Sequence, residues 1–184
     1  MRRSLRVPIL LLIGLIAMAF AGCSHTTRHV VRQQAKNTNW QLVQSAKGYQ
    51  IELPPDWKYQ HITSLIDLLA VSTTKTGCNI NIVIDKVKKP VTCMQYAQQQ
   101  NQLSKKLHGK NFQVSLPLAF TGQATGVKSI ATMNMKDKHF KMCQYDFMKG
   151  KAAYIVTMTT TVDDFPRAEP EFDKIARTFT LRGK

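Results

Sequence analysis

Cys78-Asn79-Ile80-Asn81-Ile82-Val83-Ile84 sets Cys78, Ile80, Ile82 and Ile84 on one side of the chain and two asparagines on the other. Successive strand side chains point to opposite faces, so this period of two predicts a strand with a defined inner face. Pro90 ends the run. Thr92 and Gln95 follow, three residues apart, the spacing of a capping box whose hydroxyl and amide satisfy the free N–H groups of a helix start. The helix is expected to reach about Leu107, with Met94, Ala97, Leu103 and Leu107 toward the core.

The same reading extends in both directions. Upstream, Tyr49, Ile51 and Leu53 alternate with Gln50 and Glu52, closed by Pro54-Pro55-Asp56 and followed by Trp57, and Leu68 to Thr74 reads as another strand. Downstream, Phe112–Phe120, Val127–Met135, His139–Phe147 and Ala152–Thr160 read as strands joined by Gly- and Lys-containing hairpin segments. Phe172, Ile175, Ala176 and Phe179 form one face of a closing helix, with Pro170 suited to its first turn, and Thr178–Leu181 fits a last strand. Strands mostly in hairpins, interrupted by two helices, predict an α+β domain: an antiparallel, sandwich-like β-sheet with two helices packed on it.

Two stretches carry a resemblance. Gly48-Tyr49-Gln50-Ile51-Glu52-Leu53-Pro54-Pro55-Asp56-Trp57 is similar to the opening strand of PsbP-like and DcrB-like domains. Phe172-Asp173-Lys174-Ile175-Ala176-Arg177-Thr178-Phe179 looks like their closing helix. The likeness covers about residues 40–182 in order of elements. It implies a sandwich-like α+β fold that hosts accessory and binding proteins, and it transfers no catalytic residues.

The chain opens with Arg2, Arg3 and Arg6, then runs from Val7 to Phe20 without a charge. Fourteen apolar residues fall short of the roughly 20 that cross a bilayer, and the pattern matches a secretory leader. Phe20-Ala21-Gly22-Cys23 resembles the lipobox of bacterial lipoproteins, in which the thiol receives a diacylglyceryl group and the freed amine a palmitate-type chain. The resemblance implies a leader over residues 1–22 and a lipid anchor at Cys23. Buried acyl chains contribute about 0.8 kcal/mol per CH₂, so two or three hold a protein firmly in a membrane. Ser24, where inner-membrane lipoproteins carry Asp, implies the outer membrane, facing the periplasm. Residues 23–39 read as the lipidated cysteine and a flexible basic tether, and 40–184 as a single domain. His25 and His29 stand at metal-ligating spacing, but nothing around them forms a helix, so they read as spacer.

The formal charge is +15, of which the leader and tether carry three each, leaving +9 from Trp40 onward. Such a domain is attracted to anionic surfaces. Outside the cytoplasm these are headgroups, lipopolysaccharide and wall polymers, and no nucleic acid is expected. Candidate contacts are Lys86, Lys88, Lys89, Lys105, Lys106, Lys136, Lys138 and Lys141, with a plain solvated face as the alternative.

Three cysteines remain after Cys23, and export puts them where disulfides persist. Cys78 and Cys143 share inward parity and are the favoured pair, with buried unpaired thiols the alternative. Cys93 sits at a helix start, where the dipole lowers a thiol's pKa, and is the candidate free thiol. Five of the 11 acids fall between Asp163 and Asp173, without the alternation and Gly of a calcium loop. No nucleophile elbow, phosphate-binding glycine loop or His-Glu-x-x-His occurs. The expected role is therefore a non-enzymatic accessory or protein-binding module of an envelope assembly, without cofactor or metal. A binder of anionic envelope polymer is the alternative.

Overall fold

A computed structural model describes residues 39–62, 65–75, 77–135 and 137–182. The leader, Cys23, the tether histidines and Lys136 lie outside the described residues. The chain forms β1 (Gln41–Ser45), β2 (Tyr49–Leu53), β3 (Trp57–Gln60), β4 (Leu68–Ser72), β5 (Asn79–Lys86), α1 (Cys93–His108), β6 (Phe112–Val114), β7 (Leu118–Thr121), β8 (Thr125–Met135), β9 (Lys138–Lys149), β10 (Ala152–Thr161), α2 (Phe165–Arg177) and β11 (Thr180–Leu181). The strands make an eight-stranded sheet ordered β3-β4-β5-β10-β9-β8-β6, with β7 also on β8, and a three-stranded sheet ordered β1-β2-β11. Every pairing is antiparallel.

One face of the large sheet meets α2 and the small sheet across the main core. Its inner residues include Ile80, Ile82, Cys143, Tyr145, Phe147, Val156 and Met158, against Phe165, Phe172, Ile175 and Phe179. Phe179 is central: its ring stacks on Phe147 at 4.5 Å and on Tyr49 at 5.4 Å. It thereby joins the sheets where α2 ends. Offset aromatic pairs add about 0.5–1.5 kcal/mol beyond the area they bury.

The capping box forms as expected, with Thr92 Oγ1 accepting from the Gln95 N–H and Gln95 Oε1 from the Thr92 N–H. The helix face does not. Leu107 is exposed and Met94 and Leu103 only half-buried, while Tyr96, Ala97, Asn101 and Ser104 are buried. The sheet beneath explains the rotation. It presents Ser129, Gln144, Asp146 and Thr157, and Asn101 Nδ2 donates to Ser129 Oγ at 3.2 Å.

Three further expectations change. Phe112–Phe120 is two short strands, because Pro117 between them has no N–H for a ladder. The closing helix begins at Phe165, with Pro166 in its first turn and Pro170 inside. Burial of Phe165 and Ala168, on the stripe that continues to Phe172, carries the helix through the lost hydrogen bond. β1 and β3 were not expected as strands; Gln41 Nε2 ties them together, donating to the carbonyls of Pro54 and Trp57.

Candidate functional site

Where β5 begins and β10 ends, a cleft of about 910 Å³ opens at one end of the large sheet. Its walls include Val71, Lys75, Cys78, Asn79, His139 and Asp163. The loop on one side is held by Asp56, whose Oδ2 accepts from Thr74 Oγ1 at 2.6 Å and Ser72 Oγ at 3.1 Å. Burial pushes the Asp56 carboxyl up, but these hydroxyls outweigh it and hold the group below its ordinary range. Lys75 reaches across to Glu171 on α2, and a smaller hollow of about 350 Å³ continues past Lys75 and Cys78 toward Asp164 and Arg167. The volume suits a short peptide segment or a small organic molecule.

The chemistry of the walls is quiet. Cys78 Sγ bonds the Thr160 hydroxyl at 3.3 Å, and burial pushes its thiol up. The His139 ring is engaged by Asn134 Oδ1 at 2.8 Å. Among the described residues no group of three or more His, Cys, Asp or Glu could hold a metal ion, and no helix is long and apolar enough to cross a membrane.

Cys78 and Cys143 both face the main core, as their parity requires, yet they remain separate thiols. Strand β10 lies between them: Cys143 pairs with Met158, and Met158 with Ile80. Two strand spacings put their Cα atoms more than about 9 Å apart, beyond the roughly 7 Å a disulfide spans. Burial pushes Cys143 up to about 12. Cys93 does open α1, but burial there outweighs the local hydrogen bonds and pushes its thiol above the ordinary value, opposite to the expected activation.

Sequence reasoning missed the buried acids. Asp146 is fully buried under α1; among the described residues its carboxyl oxygens accept from Gln144 Nε2, at 3.0 and 3.1 Å, and burial pushes it up to about 7. Its position in β9, between aromatic neighbours, gave no sign of this in the sequence. Asp67 gathers Ser45 Oγ at 2.6 Å, Tyr49 Oη at 2.7 Å and Lys47 Nζ at 3.0 Å. Lys128 sits between Glu169 and Asp173, at 2.8 Å from each, and Tyr145 Oη donates to Asp173 at 2.6 Å. The acids of α2 therefore bind it to the sheet.

The expected lysine contacts do not form one face. Lys86, Lys88 and Lys89 leave the far end of β5, beside Lys149 and Lys151 of the β9–β10 hairpin, and the Val87 N–H donates to the Lys151 carbonyl at 2.9 Å. Lys138 lies at the cleft, and Lys141 stands over the Phe165 ring at 4.5 Å. Lys105 and Lys106 occupy the last turn of α1, beyond which Phe112 pairs with Met133 toward the cleft end of β8.

No family model and no curated protein matches the chain. Solved structures do. A cyanobacterial PsbP (CyanoP) from Synechocystis superposes with a TM-score of 0.58 at 12% identity, over 85% of this chain and 98% of that one. The fold is PsbP-like. LpqN of Mycobacterium tuberculosis, described as involved in cell envelope biogenesis, superposes with a TM-score of 0.59 at 16% identity, over 78% of this chain and 91% of that one. The Ran-binding protein Mog1p of Saccharomyces cerevisiae gives 0.55 at 8% identity, over 78% and 95%.

Proposed function

We propose that this chain is a lipid-anchored accessory module, tethered through Cys23 to the periplasmic face of the outer membrane, that binds a protein segment in its cleft. The cleft carries this reading: it is open, large enough for a peptide, and walled by side chains whose hydrogen bonds fix its shape. Its thiol is pushed away from nucleophilic use and its histidine is held by an amide, which favours binding over catalysis. The PsbP-like fold supports it, since the similar structures include a Ran-binding protein and an envelope-biogenesis protein. The anchor rests on the leader and on Phe20-Ala21-Gly22-Cys23.

Photo-crosslinking residues placed at Ser72 and His139, on the cleft rim, should capture an envelope protein in growing cells. The same residue at Gln99, on the exposed side of α1, should not. Adducts from Gln99 alone, or turnover of a substrate lost on substituting a cleft residue, would overturn the proposal.

A further inference from the structure

The five lysines at the end of the sheet away from the cleft form a second surface. Lys86, Lys88, Lys89, Lys149 and Lys151 are all exposed. Lys86 and Lys149 both pair with Ala152, one on each side of β10, so their Cα atoms stand about 10 Å apart. The β5 extension is fixed to the hairpin by the Val87–Lys151 hydrogen bond. Among the described residues the lysines paired with carboxylates are Lys47, Lys75 and Lys128, none of these five. The neighbouring acid, Asp85, is half-buried and accepts from Tyr96 Oη at 3.1 Å. Five exposed ammonium groups, one of them (Lys149) donating to the Arg182 carbonyl, outnumber the single neighbouring carboxylate of Asp85, so the pole keeps a net positive field.

The position of this pole gives it meaning. The tether joins the domain at Trp40, and Gln41 bonds the Trp57 carbonyl. Trp57 pairs with Ser72, whose N–H donates to the Cys78 carbonyl at the cleft. Along β10, the eight residue steps from Thr160, bonded by Cys78, back to Ala152, beside Lys86, span about 26 Å. The tether therefore joins at the cleft end, and the lysine pole points the other way. Sixteen residues, Ser24 to Asn39, separate Cys23 from this entry point, so an anchor at Cys23 pulls on the cleft end of the domain, opposite the pole. Lys105, Lys106 and Lys138 stand toward the tether end instead.

We infer that Lys86, Lys88, Lys89, Lys149 and Lys151 bind the carboxylate-bearing stem peptides of the cell wall, on the side of the domain turned away from its own membrane. The inference rests on the anchor proposed above and on the polymer-binding alternative to the module's role.

The test uses the full acylated protein in mild detergent, pelleted with purified peptidoglycan sacculi at about 50 mM and about 500 mM salt. Wild type should pellet at low salt and be released at high salt. The triple variant Lys86→Glu, Lys88→Glu, Lys89→Glu should lose binding about tenfold, and the independent pair Lys149→Glu, Lys151→Glu should also lose it. The control Lys105→Glu, Lys106→Glu, Lys110→Glu removes the same net charge and should bind within about twofold of wild type. Equal loss in pole and control variants would overturn the inference, as would no loss in the pole variants. So would a pole variant that keeps the sacculi but releases phosphatidylglycerol vesicles, since the occupant would then be a bilayer. Intact mass of Cys23 in the same preparation reads the anchor separately, so a missing lipid and a missing pole are told apart.

Discussion

Replacing Asp146 with asparagine should stabilise the protein, and only above acidic pH. In the folded chain burial keeps this carboxyl protonated to about pH 7, whereas the unfolded chain releases the proton near the ordinary value of 3.8. Because the folded-state pKa is raised, the contribution is fully present below pH 3.8 and is lost as pH rises toward 7. Each pH unit in that window costs up to about 1.4 kcal/mol, so the loss by pH 7 to 8 is on the order of 4 kcal/mol. Asp56, Asp67 and Asp164 are held below their ordinary range, so their opposite dependence falls at lower pH and leaves the window to Asp146. Asparagine keeps the shape and an oxygen for Gln144 Nε2. Urea unfolding from pH 4.5 to 8 should give near-equal midpoints for the two proteins at the acid end. The variant should be the more stable by roughly 2–4 kcal/mol at pH 8. A variant less stable at pH 8, or wild-type stability that rises between pH 5 and 7, would refute the reasoning.

Phe179→Ala removes the ring that joins both sheets and should cost about 3–5 kcal/mol, read as a lowered thermal midpoint. Gly126→Ala places a Cβ 2.5 Å from the Asp146 carbonyl oxygen and 2.7 Å from the Phe147 ring; backbone cannot yield there, so soluble yield should collapse, while Gly150→Ala, in open space but at φ +60°, should cost only about 1–2 kcal/mol of backbone strain and still fold. Cys78, Cys93 and Cys143 should all titrate as free thiols in denaturant without reductant, with Cys78 and Cys143 slow toward maleimide in the native state.

Much of this fold was legible because its strands are half-buried and its hairpins local. The 78–84 alternation, the Thr92–Gln95 box and the long strands between Val127 and Thr160 each declare themselves within a short window. What could not be read was set by partners distant in sequence. The face of α1 was misjudged because a polar layer on β8, β9 and β10 selects Asn101 and Ser104 over Leu103 and Leu107. The cysteine parity was correct, but strand order is not a local property, and β10 lies between β5 and β9. The cleft and the lysine pole are likewise products of strand order, which brings Lys149 and Lys151 beside Lys86 across a separation of more than sixty residues in sequence.

The small sheet has a mechanical consequence. Its strand β1 is the first strand among the described residues and is paired over five residues with β2, which also holds β11. Tension between a membrane at the cleft end and a wall at the lysine pole would run lengthwise along β1, because Gln41 lies at the first end and Ser45 toward the second. The five-residue ladder would then be loaded in shear, all its rungs sharing the strain at once. Pulled sideways, the same hairpin would unzip pair by pair under a far smaller force.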